Sequence, residues 1–152
     1  MPAVKKSVAV TGHRDMSAGI DGEKLEKTLV SLIKRGYTNF YLGLALGFDT
    51  YCFRILFLLK NKYKIRLIGC APFEDQCAKW SEEDKKIYRL MCSFCDERVA
   101  VSENYTPGCM MKRNRYMVDH ADLVLAYLKK SSGGTYNTVK YAVSEGKEIV
   151  YI

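Results

Sequence analysis

Histidine, tryptophan and proline are scarce in this chain, with two, one and three copies in 152 residues. Two histidines, His13 and His120, leave little for an imidazole-based metal centre. The six cysteines include one close pair, Cys92-x-x-Cys95, and no second pair to complete a four-thiolate zinc site. No apolar run approaches the roughly 18 residues of a membrane helix; Leu123 to Leu128, the longest, stops at Lys129. Lys5 and Lys6 precede only a short strand-like run, so no signal-peptide core is expected. These absences predict a cytoplasmic protein with no membrane contact, reduced thiols, and no metal or cofactor. Cys52 and Cys70 lie in or beside apolar runs and are expected as small core residues.

What is present fits one globular domain over residues 1–152, with 48% hydrophobic and 27% charged residues. The net charge of +7 invites a nucleic-acid reading, but the 24 basic residues are spread along the chain. Only Lys112, Arg113 and Arg115 form a tight group, which fits a solvated face or an anionic ligand better than a phosphate-tracking stripe.

The apolar period switches repeatedly between strand-like and helix-like spacing. Short apolar runs at Ser7–Val10, Phe40–Leu42, Ile65–Ile68, Arg98–Val101, Leu123–Ala126 and Glu148–Tyr151 predict six strands. Between them, Leu25, Leu29, Leu32 and Ile33 share a helical face closed by Gly36. Further helices are expected over 48–60, from Ser81 to about Phe94, over 110–120 and over 135–145. Ser81 with Asp84 is close to a capping box, and the stretch from Cys70 to Trp80 reads as irregular. Continuous rather than alternating apolar strands suit a sheet buried on both sides. The expected fold class is α/β: a Rossmann-like, doubly wound, mainly parallel sheet with helices on both faces.

In such a sheet the ligand sits beyond the carboxyl ends of the strands, and three strand ends here are unusual. Thr11-Gly12-His13-Arg14 follows the first strand, and Arg14 offers a planar fork suited to phosphate. Gly43-Leu44-Ala45-Leu46-Gly47-Phe48-Asp49 follows the second and opens a helix, whose N-terminus attracts an anion. Asp49 there either complements the helix dipole or accepts a bond from a sugar hydroxyl. Ser131-Ser132-Gly133-Gly134-Thr135 joins the fifth strand to the last helix as an anion nest or a plain surface loop. Pro72, Gln76 and Trp80 follow the third strand, where the Trp80 ring either covers a base or anchors the core. Arg113 and Asn114, early in the helix before the fifth strand, are within reach of the same pocket.

Thr-Gly-His-Arg, Gly-x-Ala-x-Gly-x-Asp, Pro-x-x-x-Gln-x-x-x-Trp and Ser-Gly-Gly-Thr, in this order, resemble the SLOG superfamily in its YpsA-like branch. DprA and the LOG phosphoribohydrolases are more distant relatives, and the resemblance runs from about Val8 to Ile152. It implies a Rossmann-like fold that binds a nucleotide or nucleotide-derived molecule, as a sensor or regulatory module, and it leaves a homodimer open. The LOG motif carries a catalytic-type Glu four residues after the position matched by Gly134; here that position is Thr138. Arg113 matches the LOG arginine, and Asn114 stands where the LOG lysine would be. Without the carboxylate, glycosidic cleavage has no evident base, so phosphoribohydrolase activity is the alternative and DprA-like single-strand binding a third reading.

Overall fold

The computed structural model describes residues 5–152, and the first four residues of the expected domain lie outside it. The elements are β1 (Lys6–Gly12), α1 (Gly22–Lys34), β2 (Tyr37–Leu42), α2 (Phe48–Leu59), β3 (Arg66–Ala71) and α3 (Glu82–Phe94), then β4 (Glu97–Ala100), α4 (Cys109–Asp119), β5 (Leu123–Tyr127), α5 (Gly134–Ser144) and β6 (Glu148–Tyr151). The strands form one sheet in the order β4-β3-β2-β1-β5-β6, and every pairing is parallel. The fold is therefore an α/β, Rossmann-like one, as expected.

Local chemistry sets the boundaries. Asp21 accepts the Lys24 amide at 3.1 Å to start α1, and Ser81 does the same for Asp84 at the start of α3. Gly36, one residue past the α1 cap, takes the left-handed φ of 98° that ends the helix. Four strands run further than their apolar segments suggested: β2 starts at Tyr37, β5 ends at Tyr127, and β1 and β3 are prolonged at their carboxyl ends. β1 extends to Gly12 because Thr11 and Gly12 continue the ladder against Ala126 and Tyr127 of β5. β3 extends to Ala71 because Cys70 and Ala71 pair with Val99 and Ala100, which shortens the irregular segment.

Two cores flank the sheet. On one face Leu25, Leu29, Phe48, Phe53 and Leu56 of α1 and α2, with Tyr88 and Met91 of α3, cover Val8, Val10, Phe40, Leu42 and Leu67. On the other, Met117 and Val118 of α4 and Val139 and Ala142 of α5 cover Ala9, Ile68, Cys70, Val124 and Ala126. Cys52 and Cys70 are buried, as expected of small apolar residues. No helix among the described residues is long and apolar enough to cross a membrane. The strand order reverses between β2-β1 and β5-β6, so the topological switch point lies at the carboxyl ends of β1 and β5.

Candidate functional site

At that switch point the molecule has a polar cavity of about 290 Å³. Its walls come from the end of β1 (Val10 to Arg14), the β2–α2 loop (Gly43, Ala45, Asp49), one face of α4 and the start of α5 (Gly134, Thr135). Eleven sequence-selected residues meet here: Thr11, Gly12, His13, Arg14, Gly43, Ala45, Asp49, Arg113, Asn114, Gly134 and Thr135.

The β2–α2 wall is tightly built. Leu44 holds a φ of 58°, the one positive value outside glycine among the described residues, and this turns the chain sharply after β2. Gly47 follows with a φ of 84°, and a Cβ there would run into the backbone of Arg14. The Asp49 carboxylate folds back to accept the Ala45 amide at 3.2 Å, and Thr50 donates to the Ala45 carbonyl at 2.9 Å. Asp49 is only 7% exposed. Burial pushes its carboxyl up to about 6, while the Arg113 charge and the Ala45 amide pull the other way.

Arg113 explains how this wall is held. Its Nη1 donates to the carbonyls of Gly43 at 2.8 Å and Cys70 at 3.2 Å, tying the ends of β2 and β3 together. Its Nε donates to the Asn114 side chain at 2.8 Å. The solvated-face reading of this residue is overturned, because Arg113 is buried at 7% exposure; the backbone carbonyls repay the desolvation of its guanidinium. Gly43 must lack a side chain, since a Cβ would meet both Arg113 and Asp49. Gln76 lies behind the wall and donates to the same Gly43 carbonyl at 3.2 Å.

The opposite wall is looser. His13 Nε2 accepts the Lys129 amide at 2.8 Å, which fixes the ring proton on Nδ1. Burial, with Lys130 and Lys129 nearby and Asp15 opposing, holds the imidazole below its ordinary pKa, so it is neutral at pH 7. Arg14 is exposed, and its guanidinium lies 5.5 Å above the Trp80 ring. A Cβ on Gly12 would strike Phe48, whose ring stacks on Tyr127 with centroids 5.3 Å apart.

The remaining sequence-selected residues surround the cavity without lining it. Trp80 is half-buried and packs edge-on against Tyr88 at 5.5 Å. Pro72 is buried just past β3. Ser132 and Gly133 are exposed ahead of α5, with Gly133 at a φ of 96°. Thr138 is buried and donates to the Gly134 carbonyl at 2.7 Å, so its hydroxyl is spent inside α5.

Three apolar lining residues had not been singled out as site residues: Val10, Met110 and Met117. A signal for the methionines was present. Met110, Arg113, Asn114 and Met117 fall at i, i+3, i+4 and i+7, which puts them on one face of α4. Lys129, also not singled out, reaches His13 through its backbone amide, and its ammonium lies 5.3 Å above the Tyr127 ring.

Comparisons with known proteins agree with this architecture. The YpsA family model, that of the YspA SLOG family, matches residues 8–149. The chain is 32% identical over 137 residues to the uncharacterised SPbeta prophage-derived protein YoqJ of Bacillus subtilis, covering 78% of this chain and 80% of that one. Among solved structures, DNA processing protein A from Streptococcus pneumoniae superposes with a TM-score of 0.67 at 18% identity. The match covers 97% of this chain, which spans 50% of that protein. DNA processing protein A from Helicobacter pylori, a structure reporting a single-stranded DNA binding mode, gives 0.67 at 18% identity. It covers 96% of this chain and 64% of the neighbour. At these identities the two neighbours speak for the fold.

Proposed function

The chain belongs to the YspA SLOG family, and on that premise we propose that the switch-point cavity binds a nucleotide or nucleotide-derived ligand, as a cytoplasmic sensor or regulatory module. The observation that carries this reading is the convergence in one cavity of anion-seeking and hydroxyl-seeking groups. Arg14 and the amide end of α5 at Gly134 and Thr135 offer a phosphate positive charge and N–H donors. The Asp49 carboxylate at the far wall accepts from a sugar hydroxyl, and neutral His13 donates from Nδ1. A volume near 290 Å³ suits a mononucleotide-sized group, with Met110 and Met117 giving it apolar contact.

Binding without turnover is favoured by Thr138, which has no carboxylate and whose hydroxyl is bonded within its own helix. The hydrolase alternative rests on Asp49, whose buried carboxyl titrates near 6 and faces the cavity. Single-strand binding is a third reading, supported by the likeness of fold to DNA processing protein A and by the net charge of +7.

The test is a thermal-shift screen with nucleoside mono- and diphosphates, ADP-ribose, NAD, cyclic dinucleotides and a short single-stranded oligonucleotide. A ligand at a hundred times its dissociation constant adds about 2.7 kcal/mol of stability. Each hit is then incubated with the protein and the products separated by chromatography. An unaltered hit supports the binding module, and release of free base supports the hydrolase. No shift with any nucleotide at millimolar concentration overturns the pocket reading.

A further inference from the structure

The chain's six cysteines are all unbonded, and no thiol lines the cavity. Cys52, Cys70 and Cys109 are buried, whereas Cys77, Cys92 and Cys95 are only half-buried. Cys92 and Cys95 are set apart by their place, three residues from each other where α3 ends. The Cys95 amide donates to the Cys92 carbonyl at 3.3 Å and closes a last turn there. Helical rise and radius put two such Cα atoms about 5 Å apart, inside the span of roughly 4.4–6.8 Å that a disulfide bridges.

Each sulfur also touches a support of the cavity's rigid wall. Cys95 Sγ donates to the Met91 carbonyl at 3.2 Å. It lies over Gly69, whose missing side chain leaves a gap that this sulfur shares with the Leu44 side chain. Leu44 is the residue held at positive φ in the β2–α2 turn. The Cys92 sulfur lies beside the Tyr88 hydroxyl, which also neighbours the Gln76 side chain. Gln76 in turn donates to the Gly43 carbonyl at 3.2 Å. Two lines of contact therefore run from the pair to Gly43 and Leu44. On its other side Cys92 meets the exposed Arg98 guanidinium.

We infer that Cys92 and Cys95 are a peroxide-responsive dithiol whose disulfide loosens the β2–α2 wall of the switch-point cavity. Arg98 sets a positive charge against the Cys92 sulfur, where it stabilises a thiolate. Burial holds Cys95 protonated, its thiol pushed up to about 12, so Cys92 reacts first. Cys92 gives up its proton and its sulfur attacks one oxygen of hydrogen peroxide. The O–O bond breaks, the departing hydroxide takes up that proton as water, and a Cys92 sulfenic acid remains. The Cys95 sulfur then attacks Cys92 Sγ. The S–S bond forms as the S–O bond breaks, and the hydroxide leaves with the Cys95 proton as a second water. Two electrons have passed from the two sulfurs to the peroxide. Cys95 thereby loses its bond to the Met91 carbonyl and is drawn off the gap it shares with Leu44, while Cys92 turns from Tyr88. A small thiol reverses the step by exchange. That a nucleotide feels the change rests on the reading proposed above; the disulfide and the loosened wall do not.

The test begins with the full chain, reduced, exposed to hydrogen peroxide at about 100 µM, alkylated and digested with trypsin. Cys92 and Cys95 fall in one peptide, residues 90–98. The expected product is that peptide two hydrogens lighter and closed to alkylation until dithiothreitol is added. Hydrogen exchange at the amides of residues 43–49 rises at least about 10-fold in the oxidised protein and returns on reduction. Cys95→Ser stops at the Cys92 sulfenic acid, trapped by dimedone, and exchange over 43–49 then ignores peroxide. Cys77→Ser behaves as the parent. A 90–98 peptide that stays fully alkylated overturns the inference. So does a bridge from Cys92 to Cys77, or a disulfide that leaves exchange over 43–49 as it was. If the disulfide forms and the wall loosens but no nucleotide binds either form, the pocket reading fails and the dithiol stands.

Discussion

The two walls of the cavity are built on opposite plans. The β2–α2 wall is buried and cross-linked: Arg113 holds the ends of two strands through Gly43 and Cys70, Gln76 holds Gly43 again, and Asp49 and Thr50 clamp Ala45. The facing wall presents an exposed Arg14 resting on Trp80 and an exposed Gly134 at the start of α5. One wall has its geometry fixed by bonds within the protein. The other keeps its cation and its amides free for a visitor. A site divided this way should put stability on one side and affinity on the other.

The sharpest way to break that division is to remove Arg113. Arg113→Met strips two backbone carbonyls of their donor and leaves Asp49 without the charge that offsets its burial. A loss of about 3–5 kcal/mol is expected, read from urea denaturation, because breaking a buried charged network from one side costs about that much. A loss under 1 kcal/mol would mean the wall does not depend on this guanidinium.

Asp49→Asn separates the two roles on the rigid side. The folded carboxyl titrates near 6, above its ordinary 3.8. The folded state therefore holds the proton more tightly than the unfolded chain, and the burial penalty grows as pH rises from about 4 through 6. Above pH 6 the penalty is complete, on the order of 2–3 kcal/mol. The amide variant removes it, so it should melt higher than the parent at pH 8 and lose that advantage by pH 4. Its affinity for any nucleotide found by screening should fall about 10-fold or more in the same buffer. Unchanged pH dependence of melting would remove Asp49 as the titrating group.

The smallest structural effect is expected from Arg14→Ala. Arg14 is exposed and its cation–π contact is open to water, so stability should stay within about 1 kcal/mol of the parent. Trp80 is the single tryptophan, and its emission should change when the guanidinium above it is removed. Isothermal titration should show about 10-fold weaker phosphate-ligand binding. Undiminished affinity would take Arg14 out of the anion site.

How far the residues themselves gave away this arrangement differs between the walls. The glycine turns could be read directly, because Gly47 and Gly133 need backbone angles that other residues resist, and because Gly12 and Gly43 have neighbours that exclude a Cβ. Strand and helix spans followed from apolar period. Their ends did not, since β1 and β3 are prolonged by ladder partners more than 25 residues away in sequence. Arg113 was the hardest to read. Beside Lys112 and Arg115 it looks like one more surface cation, and only rotation about the α4 axis separates it from them. The flanking Met110 and Met117 carry that information, because they mark which side of the helix turns inward. Gln76 and Trp80 sit in an irregular segment where no period applies, so nothing local tells a ligand contact from a brace.

The central position of β1 has a consequence for how the molecule comes into being. β1 is made first, yet it pairs with β2 on one side and with β5 on the other, and the Asp122 carboxylate bonds the Ser7 amide across 115 positions. Half of its ladder therefore stays open until synthesis has passed Tyr127. Contacts this distant in sequence slow folding, since the connecting chain must close before they contribute. The strand that begins the binding site is thus among the last to be fully enclosed, and in the interval its bare edge is what a nascent chain has to keep from foreign strands.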